Sequence, residues 1–416
     1  MSGPERRTVR SVADQNGVPM QVHSVEHAGA RVAHIRKARR LTQRALAERA
    51  LAERAAVSYS TVAKVEQGKM AASPSVLGAL ARALSVPVTE LTGQPYMEEL
   101  RADQLDGLIQ PLREAMDLYD VGADPEVRPR GVDVLSREAE ALCAATRRAE
   151  LRQVAAMLPA LITESTTAAH TYGTDQAWRT LASAYRTGHD LAAKFGMTDL
   201  CTVALERMGW ACRHGSDPAG SAVRQCLRGL VYLRAGDYRT GLRLIDSGMR
   251  CAEQAEPGVE RDAVTGRLHL GAAVLHARAG EDEADEHLAE AERYAARTGE
   301  VQRIRWLCFG PTNVAVHRVS ALAERDRYRE AVEVADGMSA SVLPASRVAH
   351  HHAEVARAQL VIGRADDAFA SLREARRIAP QQTRLHPLVR ETYAGLVAVK
   401  RRVPDNVLNY GSWLGR

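Results

Sequence analysis

The pattern of apolar and polar positions changes character once along this chain. Between Ala30 and Leu91 short apolar runs alternate with stop and start signals, a spacing that predicts four or five short helices. The first, near residues 31–40, turns Val32 and Ile35 inward and Arg36, Lys37, Arg39 and Arg40 outward, with a turn at Leu41 and Thr42. Thr42 is placed to cap the second helix and Ser58 the third, because a hydroxyl there accepts from an orphan N–H of the first turn. Gly68 closes the third helix, and Ser73 followed by Pro74 opens a fourth that ends near Leu84.

From Glu98 onward the apolar stripes lengthen. Leu105, Leu108, Ile109, Leu112 and Met116 share one helical face, and a Pro- and Asp-rich stretch over 121–131 follows. After it the helices come in pairs divided by Gly-Asp, Gly-Glu or Asp-Pro breaks. One unit carries Gly229, Tyr232, Tyr238, Gly241 and Ile245. Later ones carry Ala284, Leu288 and Ala291, then Ala331 and Ala335, then Ala368, Leu372, Ala375 and Pro380. Small residues at such places let two helices cross closely, which resembles tetratricopeptide repeats. The period runs roughly 37 to 47 residues against an ideal of about 34, so the copies are degenerate. A plain helical bundle is the alternative, since Ala-rich amphipathic helices imitate such repeats.

Composition agrees with an all-α chain, since aromatic residues are only 4% and Ala, Leu, Arg and Glu dominate. Charge is uneven. Residues 1–97 hold about fourteen Lys and Arg against about seven Asp and Glu, which marks that end as the one that meets phosphate. Cys143, Cys201, Cys212, Cys226, Cys251 and Cys308 show no C-x-x-C pair or metal-ligand spacing and read as reduced thiols, hence a cytoplasmic protein. No signal peptide and no membrane-length apolar run is visible, so no membrane partner is expected.

The densest chemical signal lies in Leu41–Gln43 and Leu51–Lys69. A pair of helices meeting across a tight turn needs small residues at the crossing and turn, an apolar residue just after, and another to lock the second helix. Ala52, Ala56, Val57 and Val62 meet those needs. With the second helix in a major groove, Tyr59, Ser60 and Lys64 face base edges, and Ser58, Thr61 and Lys69 grip phosphates.

Over residues 30–93 this resembles the lambda-repressor-like (XRE) helix-turn-helix family. The resemblance implies base reading at Tyr59, Ser60 and Lys64, a buried acid at Glu66, and a phosphate contact at Gln43. The run from Glu90 to Tyr96, joined to a tetratricopeptide-like domain, is similar to a class of actinobacterial regulators. A looser likeness covers residues 98–416, through the run Gly310–Val319. Some related regulators bind signalling peptides in the repeats. The expected fold is a five-helix lambda-repressor-like domain followed by a tetratricopeptide-like α-solenoid. Its divisions are a flexible arm over 1–27, the helix-turn-helix over 28–93, a helical linker and loop over 94–131, the repeats over 132–403 and a tail over 404–416.

The sequence departs from the family in carrying two copies of Leu-Ala-Glu-Arg-Ala, Leu46–Ala50 and Leu51–Ala55. Five added residues advance a helix by about 7.5 Å and rotate it by about 140° net, so Leu46 and Leu51 cannot both face one core. Either the duplicate extends the helix at its start or it bulges. Counting back from the turn puts Glu48 in the place of the phosphate-contacting Gln, whereas counting forward keeps Gln43 there.

Chemistry for catalysis is not visible, with no phosphate-binding Gly loop, nucleophile elbow or paired carboxylates, so neither enzyme activity nor a cofactor is expected. His350, His351 and His352 point about 100° apart on a helix, cannot share one ion, and read as solvated surface; no metal site is expected. Stacked helix pairs offer a concave face. Register places His269, His276, Asn313, Val316, Ser320, His350 and Arg357 on it, with Arg305 and Trp306 at its rim. Asn313 could pair with one peptide group of an extended ligand or could cap its own helix. The expectation is a homodimeric transcription regulator on a palindromic operator, with a peptide or small-molecule effector in the repeats. The alternative is an interaction scaffold that no longer reads DNA.

Overall fold

The computed structural model describes residues 27–52, 57–400 and 402–415, without the side chain of Ala52. The expected arm up to residue 26 and the contacts expected of Ala52 and Ala56 lie outside the described residues. Everything regular in the rest is helical, apart from one isolated antiparallel bridge between Val301 and Phe309.

Five helices build the N-terminal domain: α1 (Ala28–Ala38), α2 (Gln43–Ala52), α3 (Tyr59–Glu66), α4 (Pro74–Ala83) and α5 (Val88–Thr92). Their start signals act locally as the sequence predicts. Thr42 Oγ1 accepts from the Ala45 N–H at 3.0 Å, and Ser73 Oγ accepts from the Val76 N–H at 3.2 Å ahead of Pro74. Val32, Leu46, Val62, Leu77, Leu80 and Leu91 meet in a core separate from the rest of the chain.

Next come α6 (Met97–Ala102) and α7 (Ile109–Asp117), in the stretch expected as a linker. Leu100, Leu105, Leu112 and Met116 are buried in the large C-terminal core, because their stripe packs on the helices that follow. Those helices are α8 (Val132–Arg147) and α9 (Leu151–Tyr172), α10 (Asp175–Phe195) and α11 (Thr198–His214), α12 (Pro218–Ala235) and α13 (Tyr238–Glu253), and α14 (Val259–Ala279) and α15 (Glu283–Thr298). They continue as α16 (Pro311–Glu324) and α17 (Tyr328–Asp336), then α18 (Ala345–Val361) and α19 (Ala365–Ile378). The chain ends in α20 (Pro380–Arg384), α21 (Pro387–Val399) and α22 (Asp405–Trp413). The expected tail is thus a helix, held because Val407, Tyr410 and Leu414 bury against α18, α19 and α21.

Each pair is a hairpin whose second helix packs back on its first. Gly229 on α12 and Gly241 on α13 show why small residues recur: a Cβ on either would stand 3.2 Å from the other's carbonyl oxygen. The first helices of successive pairs, α10, α12, α14, α16 and α18, also pack on one another, and α18 returns to touch α8. The array therefore curls round until its end meets its beginning.

The N-terminal domain is clasped by this array at two places. Gly236, at the α12–α13 turn, lies so close to Gly78 of α4 that a Cβ on Gly236 would stand 2.9 Å from the Gly78 Cα, and Arg82 donates to the Gly236 carbonyl. At the other end Glu391 of α21 accepts from the Ala28 N–H at 3.2 Å, a buried carboxylate on the positive end of α1. Between them α6 is pinned to the last helices by the buried Glu99–Arg390 pair and by Arg384–Asp103 at 2.8 Å.

Candidate nucleic-acid interface

Helix α3 begins at Ser58, whose Oγ accepts from the Thr61 N–H at 3.1 Å and lies 3.0 Å from Thr61 Oγ1. Val62 and Val65 fix the inner side of the helix beside Val57. Helical periodicity then turns Tyr59, Ser60 and Lys64 outward, and all three are exposed, Tyr59 by 56%. Gly68, at φ 68°, bends the chain out of the helix and leaves Lys69 exposed. The side chains assigned to base edges thus share one face, flanked by Ser58 and the half-buried Thr61 at one end and Lys69 at the other. Eight residues of helix span about 12 Å, the width of a B-DNA major groove. Docking of the helical array on α1, α4 and the α3–α4 loop leaves this face uncovered, since Tyr59, Ser60 and Lys64 stay exposed in its presence.

What holds α3 in place is a polar cluster under it. Arg36 grips Glu66 with two bonds, Nε to Oε1 at 2.6 Å and Nη2 to Oε2 at 2.8 Å, while its Nη1 donates to the Leu41 carbonyl at 2.7 Å. Gln43 Nε2 donates to Glu66 Oε2 at 2.7 Å. One carboxylate thereby ties α1, α2 and α3. Burial pushes the Glu66 carboxyl up, but the bonds from Arg36 and Gln43 and the charges of Arg36 and Lys37 outweigh it and hold it below the usual carboxylate range. One expectation is corrected here. Arg36, expected outward, is buried, because its partner lies on another helix. The Gln43 side chain, expected on a phosphate, is half-buried and donates to Glu66.

The first copy of the duplicated segment supplies the core. Leu46, Ala47 and Ala50 from the first copy fill the core, and Leu51, which opens the second, is 63% exposed. Glu48 is exposed and paired with Arg44 at 3.2 Å. Residues 53–56 lie outside the described residues. Because no core position falls on Leu51, deleting Leu51–Ala55 is expected to leave the N-terminal domain folded with equal or tighter DNA affinity. Loss of the domain's cooperative unfolding in the deletion variant would show that the second copy is structural.

The residues assigned to an effector are spread, and most are spent on contacts within the chain. Asn313 is buried; its Nδ2 donates to the Cys308 carbonyl at 2.5 Å and its Oδ1 accepts from Arg347 Nε at 2.8 Å, so both ends of the amide are engaged within the chain. Val316 is fully buried, and the buried Ser320 donates to Glu354 at 2.6 Å. Arg357 is buried against Glu324 and Tyr328, whose hydroxyl accepts from it at 2.9 Å. Arg305 clamps the buried Asp217, with 2.9 Å from Nη2 to Oδ1, and the Trp306 carbonyl accepts from Arg186 at 3.1 Å. His269 lies 2.9 Å from His287, His276 lies 2.7 Å from Glu281, and His350 lies 3.0 Å from His386. The histidine run is not solvated surface either, since His351 is buried and His350 and His352 are half-buried. Among the described residues, one group has ligand atoms close enough for a metal ion, His276, Glu281 and Glu283, at the end of α14, the turn after it and the start of α15.

No described helix is long and apolar enough to cross a membrane. No curated protein and no solved structure matches the chain. A family model for the helix-turn-helix matches residues 32–91, the span from α1 to α5. This segment is therefore an XRE-like helix-turn-helix, which makes the protein a DNA-binding regulator in general terms.

Proposed function

We propose that the protein is a sequence-specific transcription regulator, not an enzyme, that reads an operator with α3 and receives an effector in its C-terminal helical array. The observation that carries the first half is the single exposed face of Tyr59, Ser60 and Lys64 on a helix whose other side is locked by Val62, Val65 and the Glu66 cluster. The array is tetratricopeptide-like in its hairpins and small-residue crossings. Two copies on a palindromic operator would bring two such faces to successive major grooves. The clasp supports the second half. Gly236 against α4 and Glu391 on the N-terminus of α1 are rigid contacts through which a rearranged array can bias the reader, provided the effector prefers one arrangement.

Base and phosphate contacts predict different losses. Lys69→Ala is expected to weaken binding to every duplex alike and to make the salt dependence shallower by about one unit of slope, while Lys64→Ala changes which duplex is preferred. Anisotropy titrations of the full chain on several duplexes at two salt concentrations check this. An equal effect of both substitutions on all sequences would remove sequence reading from α3.

A further inference from the structure

Among the described residues, the inner helices of the curled array carry more positive charge than negative. Arg147 on α8, Arg186 and Lys194 on α10, Arg234 on α12, Arg267 on α14 and Arg347 on α18 sit on the helices that pack on one another round the curl, and their charges act on one another or on the same buried histidines. Among the described residues, the acids beside these six cations include Asp190, Glu354 and Glu300, and Glu300 is held by the Thr312 N–H. Asp190 is committed to Arg147 at 2.9 Å and His189 at 3.0 Å, and Glu354 to Ser320 at 2.6 Å with His350 beside it. Burial opposes ionisation of both carboxyls, yet Arg147, the His189 bond and Arg186 hold Asp190, and His350, Arg347 and the Ser320 bond hold Glu354, well below the usual carboxylate range.

The donors are also left over. Arg186 is 6% exposed, and its Nε has no partner among the described residues, nor has Arg147 Nε, Arg267 Nη1 or Nε2 of the buried His189. Leaving guanidinium donors desolvated and unpaired is costly, and like charges gathered in a low-dielectric interior raise that cost. The cluster is not sealed: Arg234 is exposed, and Arg147, Lys194, Arg267 and Arg347 are half-buried. Guanidinium forks converging from five helices suit phosphoryl or carboxyl groups, which accept paired N–H bonds.

We propose that this interior binds a small polyanion, a solute with at least two phosphoryl or carboxyl groups, bridging the inner helices through Arg186, Arg267 and Arg347. The proposal gives the chemical class of the effector and rests on the proposed function only for its consequence on DNA. Its test reads binding itself, so a failure of DNA reading and a failure of this site are distinguishable.

The experiment is calorimetric titration of the full chain with pyrophosphate and, separately, with citrate, alongside thermal unfolding in each anion and in sodium chloride of matched ionic strength. At least one anion should bind saturably and raise the unfolding midpoint beyond the salt control. Pyrophosphate winning assigns the site to phosphoryl groups, and citrate winning to carboxyl groups. The Arg234→Gln/Arg267→Gln pair removes two cations without removing a recorded side-chain bond and should lose at least about tenfold in affinity. Undiminished affinity in that variant would place any binding elsewhere, on the basic N-terminal domain for instance, and overturn the proposal. So would the absence of saturable binding by either anion to the unaltered protein, whether or not a variant folds.

Discussion

Glu66→Ala is expected to destabilise the N-terminal domain by about 3–5 kcal/mol, because it leaves the Arg36 guanidinium buried without its counter-charge. That is a large part of a typical domain's stability of about 5–15 kcal/mol. The loss exceeds that of an ordinary ion pair because both side chains are nearly buried, at 10% and 5% exposure. Urea unfolding of the full chain, followed by a probe attached within residues 28–93, should show an early transition in the variant while the array unfolds where it did before. The double replacement Arg36→Met/Glu66→Leu should recover much of the loss, since apolar groups of similar volume need no partner. The pH dependence follows with a definite sign. The folded Glu66 carboxyl titrates below its unfolded value, so its contribution is fully present above about pH 4.3 and is lost as the pH falls through the folded value. A variant with unchanged unfolding would mean that the cluster is ornamental.

Replacing Tyr59, Ser60 and Lys64 together by Ala is expected to abolish discrimination between an operator and random duplex while leaving weak, salt-sensitive binding. Each good base-edge contact contributes about 1–3 kcal/mol of discrimination, so losing all three removes a factor of hundreds or more. Because these side chains are exposed and make no core contact, the unfolding midpoint should hardly move. That separation of effects distinguishes a reading face from a structural one. Competition with random duplex against a bound operator measures it, and unaltered discrimination would take the face of α3 out of the account.

The helix starts, the core of the N-terminal domain and the exposed face of α3 could be read from the sequence, since each depends on near neighbours. Ser58 and Ser73 cap helices three residues away, and Val62 and Val65 repeat at helical spacing. Arg36 escaped for the opposite reason. Its own helix puts it on the polar side, and only the fold brings Glu66 there from 30 residues away. The inner face of the array shows the same limit. Ser320, His350 and Asn313 do turn toward neighbouring helices, yet their partners Glu354, His386 and Arg347 come from elements 34 to 36 residues on, which no periodicity reveals. The interior cations were invisible in the same way, because each is a single Arg or Lys on an otherwise ordinary helix. Residues 94–131 and 404–416 looked peripheral by composition, and were drawn into the fold by apolar stripes only a few residues long.

Selection of bound sequences from random duplex DNA, with the purified full-length protein and the Tyr59/Ser60/Lys64 triple variant in parallel, tests sequence reading by α3 most directly. The account predicts that the unaltered protein enriches one consensus, arranged as two half-sites about 10 base pairs apart or a multiple of that, and that the triple variant enriches none. Enrichment of the same consensus by both proteins, or of no consensus by either, would contradict it.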